Sequence, residues 1–178
     1  MLLAFEGFAV VVGIPGLVVL LAILWRQKRS PAYLLCFSIF WVYLLIVAGV
    51  TIFPVPLSGA LVGRQPAAHI LSRVNLVPFE FGKLFDLHSN VIFRELIGNI
   101  LLTVPFGFGI SFIAWVRGKQ FPWLAIAVGL AIETTQLLVS LGIGGVYRGV
   151  DINDVLLNAG GVLAGYGFFR AIAGILYG

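Results

Sequence analysis

The stretch RGVDINDVLLNAGGVLAGYG, residues 148–167, begins with an arginine and two aspartates and continues into apolar residues and glycines. In a helix, Asp154, Asn158, Gly161 and Gly165 would lie on one stripe, because they recur at intervals of three to four residues. Gly161 and Gly165 form a GxxxG pattern, which lets another helix backbone approach closely. The stripe therefore predicts that these polar residues face protein and not lipid.

The composition indicates that this stretch belongs to a membrane protein. The chain has 178 residues, of which 61% are hydrophobic and 10% charged, and its mean hydropathy is +1.10. A soluble domain of this length could not bury so much apolar surface. We therefore predict an all-α integral membrane protein that forms a single domain over residues 1–178. The net charge of +4 is explained by basic residues at membrane edges, so it does not indicate nucleic-acid binding.

Five stretches are long enough to cross a bilayer core of roughly 30 Å, which takes about 20 apolar residues. These predicted spans are residues 3–25, 32–53, 95–116, 121–141 and 151–173. The connection over residues 54–94, between the second and third spans, contains SRVNLVPFEF at 72–81, which mixes charged and apolar residues. Such a long mixed connection predicts a re-entrant or interfacial lid.

The short basic connections predict the orientation of the chain. RQKR at 26–29 and RGK at 117–119 are dense in positive charge, and Trp25, Trp115 and Trp123 flank them. By the positive-inside rule both connections lie in the cytoplasm. We therefore expect a multi-pass protein of a bacterial cytoplasmic membrane, with its N-terminus outside and its C-terminus in the cytoplasm.

This orientation brings the polar residues of three spans to one side of the membrane. Glu95 and Asn99 are four residues apart in the third span, and Glu133 and Gln136 share a stripe in the fourth. All of them fall at the outer end or in the outer half, which predicts one acidic-polar pocket open to the outside. The residues expected there are Arg94, Glu95, Asn99, Glu133, Gln136, Arg148, Asp151, Asp154 and Asn158.

The charges of this pocket leave three possibilities for its chemistry. Four carboxylates, those of Glu95, Glu133, Asp151 and Asp154, face the two arginines Arg94 and Arg148. The excess can be balanced by protonation, by Arg73 or Lys83 of the loop, or by a divalent cation on the four carboxylates. Oxygen ligands suit Mg²⁺, Ca²⁺ or Mn²⁺.

Four blocks of the sequence resemble the VanZ-like family. They are NLVPF at 75–79, RELIGNILLTVPFG at 94–107, ETTQ at 133–136 and RGVDINDVLLNAGG at 148–161, and they occur in the family's order. The family is named for a membrane protein that lowers susceptibility to teicoplanin, a lipid-bearing glycopeptide antibiotic. The polar residues that the resemblance carries over are Asn75, Pro78, Glu95, Asn99, Glu133, Gln136, Arg148, Asp151, Asp154 and Asn158.

Three classes of function remain open at the level of sequence. The first is a protein that binds an amphiphile of the outer leaflet, either a lipid-linked envelope component or a lipid-tailed antibiotic. The second is an enzyme acting on a lipid-linked head group, with Glu133, Asp151 and Asp154 as catalytic candidates. The third is a small oligomeric transporter. Against all three stands a purely structural role, in which Asn99, Gln136 and Asn158 only hydrogen-bond helices together. In every case we expect the protein to be surrounded by membrane lipids. Arg73 and Asn75 of the loop are also predicted to bind the ligand.

Overall fold

The predicted spans form long helices in a computed structural model of the chain. It describes the backbone of residues 2–56, 65–79 and 89–177 and the side chains of residues 4–55, 65–79 and 96–176. The helices are α1 (Phe5–Phe8), α2 (Ile14–Arg26), α3 (Pro31–Thr51), α4 (Ala67–Leu71), α5 (Ser89–Ile113), α6 (Phe121–Ile143) and α7 (Ile152–Tyr177). A π-helical turn, Ala9–Gly13, joins α1 to α2, and a 3-10 turn, Gly118–Gln120, precedes α6. Two short strands, β1 (Leu2–Leu3) and β2 (Val55–Pro56), pair antiparallel.

Five helical segments of the described chain are long and apolar enough to cross a membrane, as the sequence predicts. They are Phe5–Arg26, Pro31–Thr51, Leu96–Ile113, Gly118–Ile143 and Ile152–Leu176. The helix α5 begins at Ser89, six residues before the predicted start of the third span at residue 95, because a helix can continue through polar residues such as Asn90. The chain is therefore a multi-pass membrane protein with an all-helical core.

Two spans have a proline in their interior, and they accommodate it differently. Pro15 has no N–H group, and its ring crowds the carbonyl of the residue four positions earlier, Val11. Val11 lies inside the wider π-helical turn Ala9–Gly13, which relieves that crowding. Pro105 instead lies within the continuous helix α5.

The helix α7 packs closely against both α5 and α6. A Cβ atom at Gly161 or Gly165 would overlap the carbonyl oxygen of Ile100 or Val104 on α5. On the other side, a Cβ atom at Gly129 of α6 would lie 2.5 Å from the carbonyl oxygen of Val155. The backbones thus touch where the side chain is only a hydrogen, as the GxxxG spacing predicts.

The stripe of α6 that carries Glu133 and Gln136 is buried along its length. Gly129, Glu133, Gln136 and Ser140 are all buried and recur on the face that α6 turns to the rest of the bundle. At one end of the bundle the end of α3 meets α6, since Gln136 Nε2 donates to the carbonyl of Thr51 at 3.1 Å. We call this end, where α3 and α6 end and α5 and α7 begin, the polar end. The opposite end, which carries Arg26–Arg29 and Arg117–Lys119, is the basic end.

The glycine contact between α5 and α7 can be tested with two neighbouring glycines. We expect Gly161→Ala to destabilise the bundle by about 1–3 kcal/mol, because its methyl group would press on the α5 backbone. Gly160→Ala is the control, because a Cβ atom there would have no neighbour within 4 Å. Thermal unfolding in detergent measures both variants. Equal melting temperatures for the two variants would show that α7 does not approach α5 in this way.

Candidate functional site

The start of α7 is tied to the loop that precedes α5 by a parallel backbone bridge. The Asn75 N–H donates to the Val150 carbonyl at 2.9 Å, and the Ile152 N–H donates to the Asn75 carbonyl, also at 2.9 Å. The side chains continue this pairing, since Asn75 Nδ2 donates to Asp151 Oδ2 at 3.0 Å. A loop that is distant in sequence is thereby fixed over the first turn of a transmembrane helix.

Asp151 is the residue that caps α7. Its Oδ1 atom accepts the backbone N–H of Asn153 at 2.8 Å and the Asn153 side-chain amide at 2.9 Å. An aspartate in this position satisfies a helix N–H that has no partner within the helix, and its charge suits the positive end of the helix dipole. With Oδ2 on Asn75, both carboxylate oxygens of Asp151 accept hydrogen bonds from the protein.

The segment Asn75 to Phe79, here called the NLVPF loop, has a polar side and an apolar side. Its backbone faces α7, since the Phe79 N–H donates to Asn153 Oδ1 at 2.7 Å, and it is braced by a bond from Val77 N–H to Asn75 Oδ1 at 3.0 Å. Its apolar side chains point away from the protein: Leu76 is 72% exposed, Val77 55% and Phe79 71%. Phe79 has a positive φ of 62°, in the left-handed region that residues with side chains rarely adopt. The loop is thus an amphipathic cover over the start of α7.

Three carboxylates lie close together beneath this loop. Glu133 is 4% exposed, and its Oε2 atom accepts the backbone N–H of Asp151 at 3.2 Å. The carboxylates of Asp151 and Asp154 lie within Coulombic range of Glu133. From α5, Asn99 Nδ2 donates to Asp154 Oδ1 at 2.7 Å. Glu133, Asp151, Asp154 and Asn99 therefore form one group, which we call the acidic cluster.

Two further residues predicted at this site are described only through their backbone. Arg94 and Glu95 lie in α5, one turn before Asn99, and their side chains are outside the described residues, as is the whole of Lys83. Among the described side chains, no group of three His, Cys, Asp or Glu residues is arranged to hold a metal ion. The four-carboxylate cation site, which includes Glu95, stays a prediction.

Asn158 and Gln136 each lie one helical turn beyond a carboxylate of the acidic cluster, and each is bonded to another helix. The Asn158 carbonyl accepts the Thr103 hydroxyl at 2.7 Å, which joins α7 to α5. Asn158 is 1% exposed, and its Oδ1 atom has no donor among the described residues. Gln136 is bonded to the end of α3, as described above. The Gln136 side chain thus makes the contact expected of a structural role, whereas the bond at Asn158 uses its backbone carbonyl and assigns no role to its side chain.

Arg148 is directed at the end of α3. Its Nη2 atom donates to the Val50 carbonyl at 2.9 Å, and the neighbouring Tyr147 hydroxyl donates to the Ile52 carbonyl at 2.6 Å. The guanidinium group also lies 5.6 Å from the centre of the Tyr147 ring. A cation and a hydroxyl at the carbonyl end of a helix satisfy acceptors that have no partner within it. Arg148 is thus engaged with the α3 backbone. The other predicted arginine, Arg73, is exposed and lies after α4, just before the NLVPF loop.

The structure adds one residue that the sequence analysis did not select. Asn153 is 6% exposed, and it bonds to Asp151 and to the Phe79 backbone. The sequence signals the cap at Asp151, because an aspartate before a helix accepts the backbone N–H two positions later, but that signal does not depend on Asn at position 153. Its partner in the loop, more than seventy residues earlier, has no such signal.

The comparison with family models gives one match, to the VanZ/LLP1 family over residues 40–174. The matched range contains the NLVPF loop and the whole acidic cluster. No curated protein matches the chain. No solved structure matches it either.

Substitutions at Asp151 separate its capping role from its charge. We expect Asp151→Ala to destabilise the protein by about 0.5–2 kcal/mol, because it removes the cap of α7, and to loosen the NLVPF loop. Asp151→Asn should keep most of the stability, because its amide oxygen can still accept the Asn153 N–H. The measurements are thermal unfolding in detergent and hydrogen exchange of residues 75–79. Slow exchange of the loop in a stable Asp151→Ala protein would contradict this role.

Proposed function

We propose that this chain, which belongs to the VanZ/LLP1 family, binds an amphiphile of the outer membrane leaflet at the acidic cluster. By binding it, the protein lowers susceptibility to lipid-tailed glycopeptide antibiotics such as teicoplanin. The family membership supports the antibiotic context. The chemistry of binding is argued from the contacts of the polar end.

The observation that carries the proposal is that the acidic cluster and the apolar side of the NLVPF loop are held together. The bridge between Asn75 and Asp151 and the bond from Phe79 to Asn153 fix the loop beside the cluster. The exposed Leu76 and Val77 directly follow Asn75, which bonds to the half-buried Asp151. A polar group next to an apolar surface, at the end of membrane-spanning helices, matches the two parts of an amphiphile.

The composition of the cluster favours particular head groups. Carboxylates accept hydrogen bonds and attract positive charge, so they suit ligands with hydroxyl or ammonium groups. The sugar hydroxyls and amines of a glycopeptide have this character. A phosphate head group would need a cation, and the acidic cluster itself contains none, because Arg148 is engaged with the α3 backbone and the exposed Arg73 lies before the NLVPF loop.

The proposal requires that the polar end faces the outside. The basic connections at the other end support this orientation, since they carry Arg26, Lys28 and Arg29 beside the 76% exposed Trp25. We expect a cysteine placed at Leu76, in a protein whose Cys36 is replaced by Ala, to react with a membrane-impermeant thiol reagent on intact cells. A cysteine at Lys119 is the control and should react only after the cells are lysed. The reverse pattern would contradict the orientation.

A second candidate function is acid-base chemistry on a lipid-linked head group. It is favoured by the position of the buried Glu133, whose carboxylate accepts the backbone N–H of Asp151 next to a second carboxylate, because a positioned carboxyl group can act as a general acid or base. In that case Glu133 transfers the proton, and the negative charges of Asp151 and Asp154 act on the Glu133 carboxyl group.

The substitution Glu133→Gln tests whether function depends on the charge of the cluster. The amide oxygen of glutamine can still accept the Asp151 N–H, and one of three neighbouring negative charges is removed, so we expect equal or higher stability. We expect protection of cells against teicoplanin to fall to the level of cells without the protein. Glu6→Gln makes the same chemical change on an exposed residue of α1 and should protect fully. Full protection by a stable Glu133→Gln protein would remove Glu133 from both candidate functions.

The NLVPF loop is expected to contact the hydrocarbon part of the ligand. We expect the double variant Leu76→Ser with Val77→Ser to bind a lipid-tailed glycopeptide more weakly, by roughly tenfold or more, because each replaced side chain contributes about 1 kcal/mol or more of apolar contact. Binding of the same glycopeptide without its tail should be unchanged. Leu71→Ser, on the 51% exposed Leu71 of α4, is the control. Equal losses for both ligands would indicate that the loop does not contact the tail.

A further inference from the structure

A cavity of about 880 Å³ lies at the basic end, between the end of α2 and the start of α3. Its lining includes Ala22, Trp25, Arg26, Lys28, Arg29 and Leu34. We propose that this hairpin cavity binds one anionic phospholipid, with the phosphodiester of the head group on the three cations and an acyl chain along the apolar wall. The proposal is independent of the function proposed for the polar end.

The turn between α2 and α3 satisfies its own backbone. The Lys28 N–H donates to the Trp25 carbonyl at 2.8 Å, and the Arg29 N–H donates to the Leu24 carbonyl at 3.2 Å. Lys28 has a φ of 58°, in the left-handed region that allows the chain to reverse here. Because these bonds run from backbone to backbone, they leave the cationic side chains available for a ligand. Arg29 lies 5.1 Å from the centre of the Tyr33 ring, which orients its guanidinium group.

The cations of this cavity have no acidic partner nearby in the described chain. Glu133, Asp151 and Asp154 lie at the polar end. Glu6 lies twenty residues before Arg26 on the same span, which is about 30 Å along a helix. Three positive side chains within four residues repel one another, and an external anion removes that repulsion. The charge of the cavity therefore favours an anionic ligand.

The apolar part of the lining favours a lipid over a free anion. Ala22 and Leu34 belong to two membrane-spanning segments, and their side chains continue the cavity from the cationic rim toward the middle of the bilayer. Trp25 is 76% exposed at the rim, the position of an indole at the head-group level. Basic pockets between transmembrane helices are known to suit anionic head groups, whereas inorganic phosphate would use only the rim.

The experiment measures retention of phosphatidylglycerol by the purified full chain in detergent, using native mass spectrometry. Phosphatidylcholine with the same acyl chains is the neutral comparison. We expect one phosphatidylglycerol to be retained in preference, and the double variant Arg26→Gln with Arg29→Gln to bind it roughly 30-fold more weakly, at about fivefold for each charge removed. The variant Lys119→Gln with Arg170→Gln removes the same charge from exposed residues outside the cavity and should bind as the parent does.

Two further measurements distinguish a lipid cavity from other sources of attraction. Ala22→Phe fills the apolar wall without a change in charge and should weaken phosphatidylglycerol retention, while excess inorganic phosphate should not displace the lipid. Equal retention of both lipids, or equal loss in the two charge variants, would overturn the proposal, because either result indicates only diffuse surface charge. Displacement by phosphate together with normal binding by Ala22→Phe would also overturn it, since the site would then bind only a small anion.

Discussion

The close approach of α7 to α5 is the contact on which the rest of the structure depends. Gly161 and Gly165 let the two backbones touch at Ile100 and Val104. In lipid there is little hydrophobic force between helices, so such van der Waals contact is a main source of association. It also sets the register of the two helices, which places Asn99 within 2.7 Å of Asp154 and the Thr103 hydroxyl within 2.7 Å of the Asn158 carbonyl.

The same register explains how three carboxylates can share one place in an apolar bundle. The cluster lies at the start of α7, where the N–H groups of the first turn have no partner within the helix and carry partial positive charge. Asp151 accepts one of these N–H groups, and Glu133 accepts the N–H of Asp151 itself. The helix terminus thus offsets part of the cost of bringing these charges together. The NLVPF loop adds the amide of Asn75 to the same site.

The two ends of the bundle carry opposite charges, and they differ in whether their polar side chains bond to the backbone. At the polar end, the side chains bond to helix termini and to the loop, so the polar residues stabilise the fold as well as forming the candidate site. At the basic end, the turn after α2 closes through backbone bonds, and the hydroxyl of Ser30 caps α3, so the cationic side chains take no part in closing it. Arg148 is an example from the polar end: although it belongs to the family pattern, it stabilises the end of α3 and does not bind the acidic cluster.

The sequence by itself determined the number of spans, the helical class, the glycine stripe of α7 and the buried stripe of α6. These follow from local properties, because apolar length and a period of about 3.6 residues are visible in any continuous segment. It also predicted one pocket of nine polar residues, of which Glu133, Asp151, Asp154 and Asn99 form the acidic cluster, whereas Arg148 turns to α3. Only the tertiary structure decided which partner each polar group takes: that Arg148 faces α3, that Gln136 reaches Thr51, and that Asn153 holds Phe79. Each of these bonds joins residues more than seventy positions apart, and such pairings arise from the relative positions of packed helices, which no local pattern records.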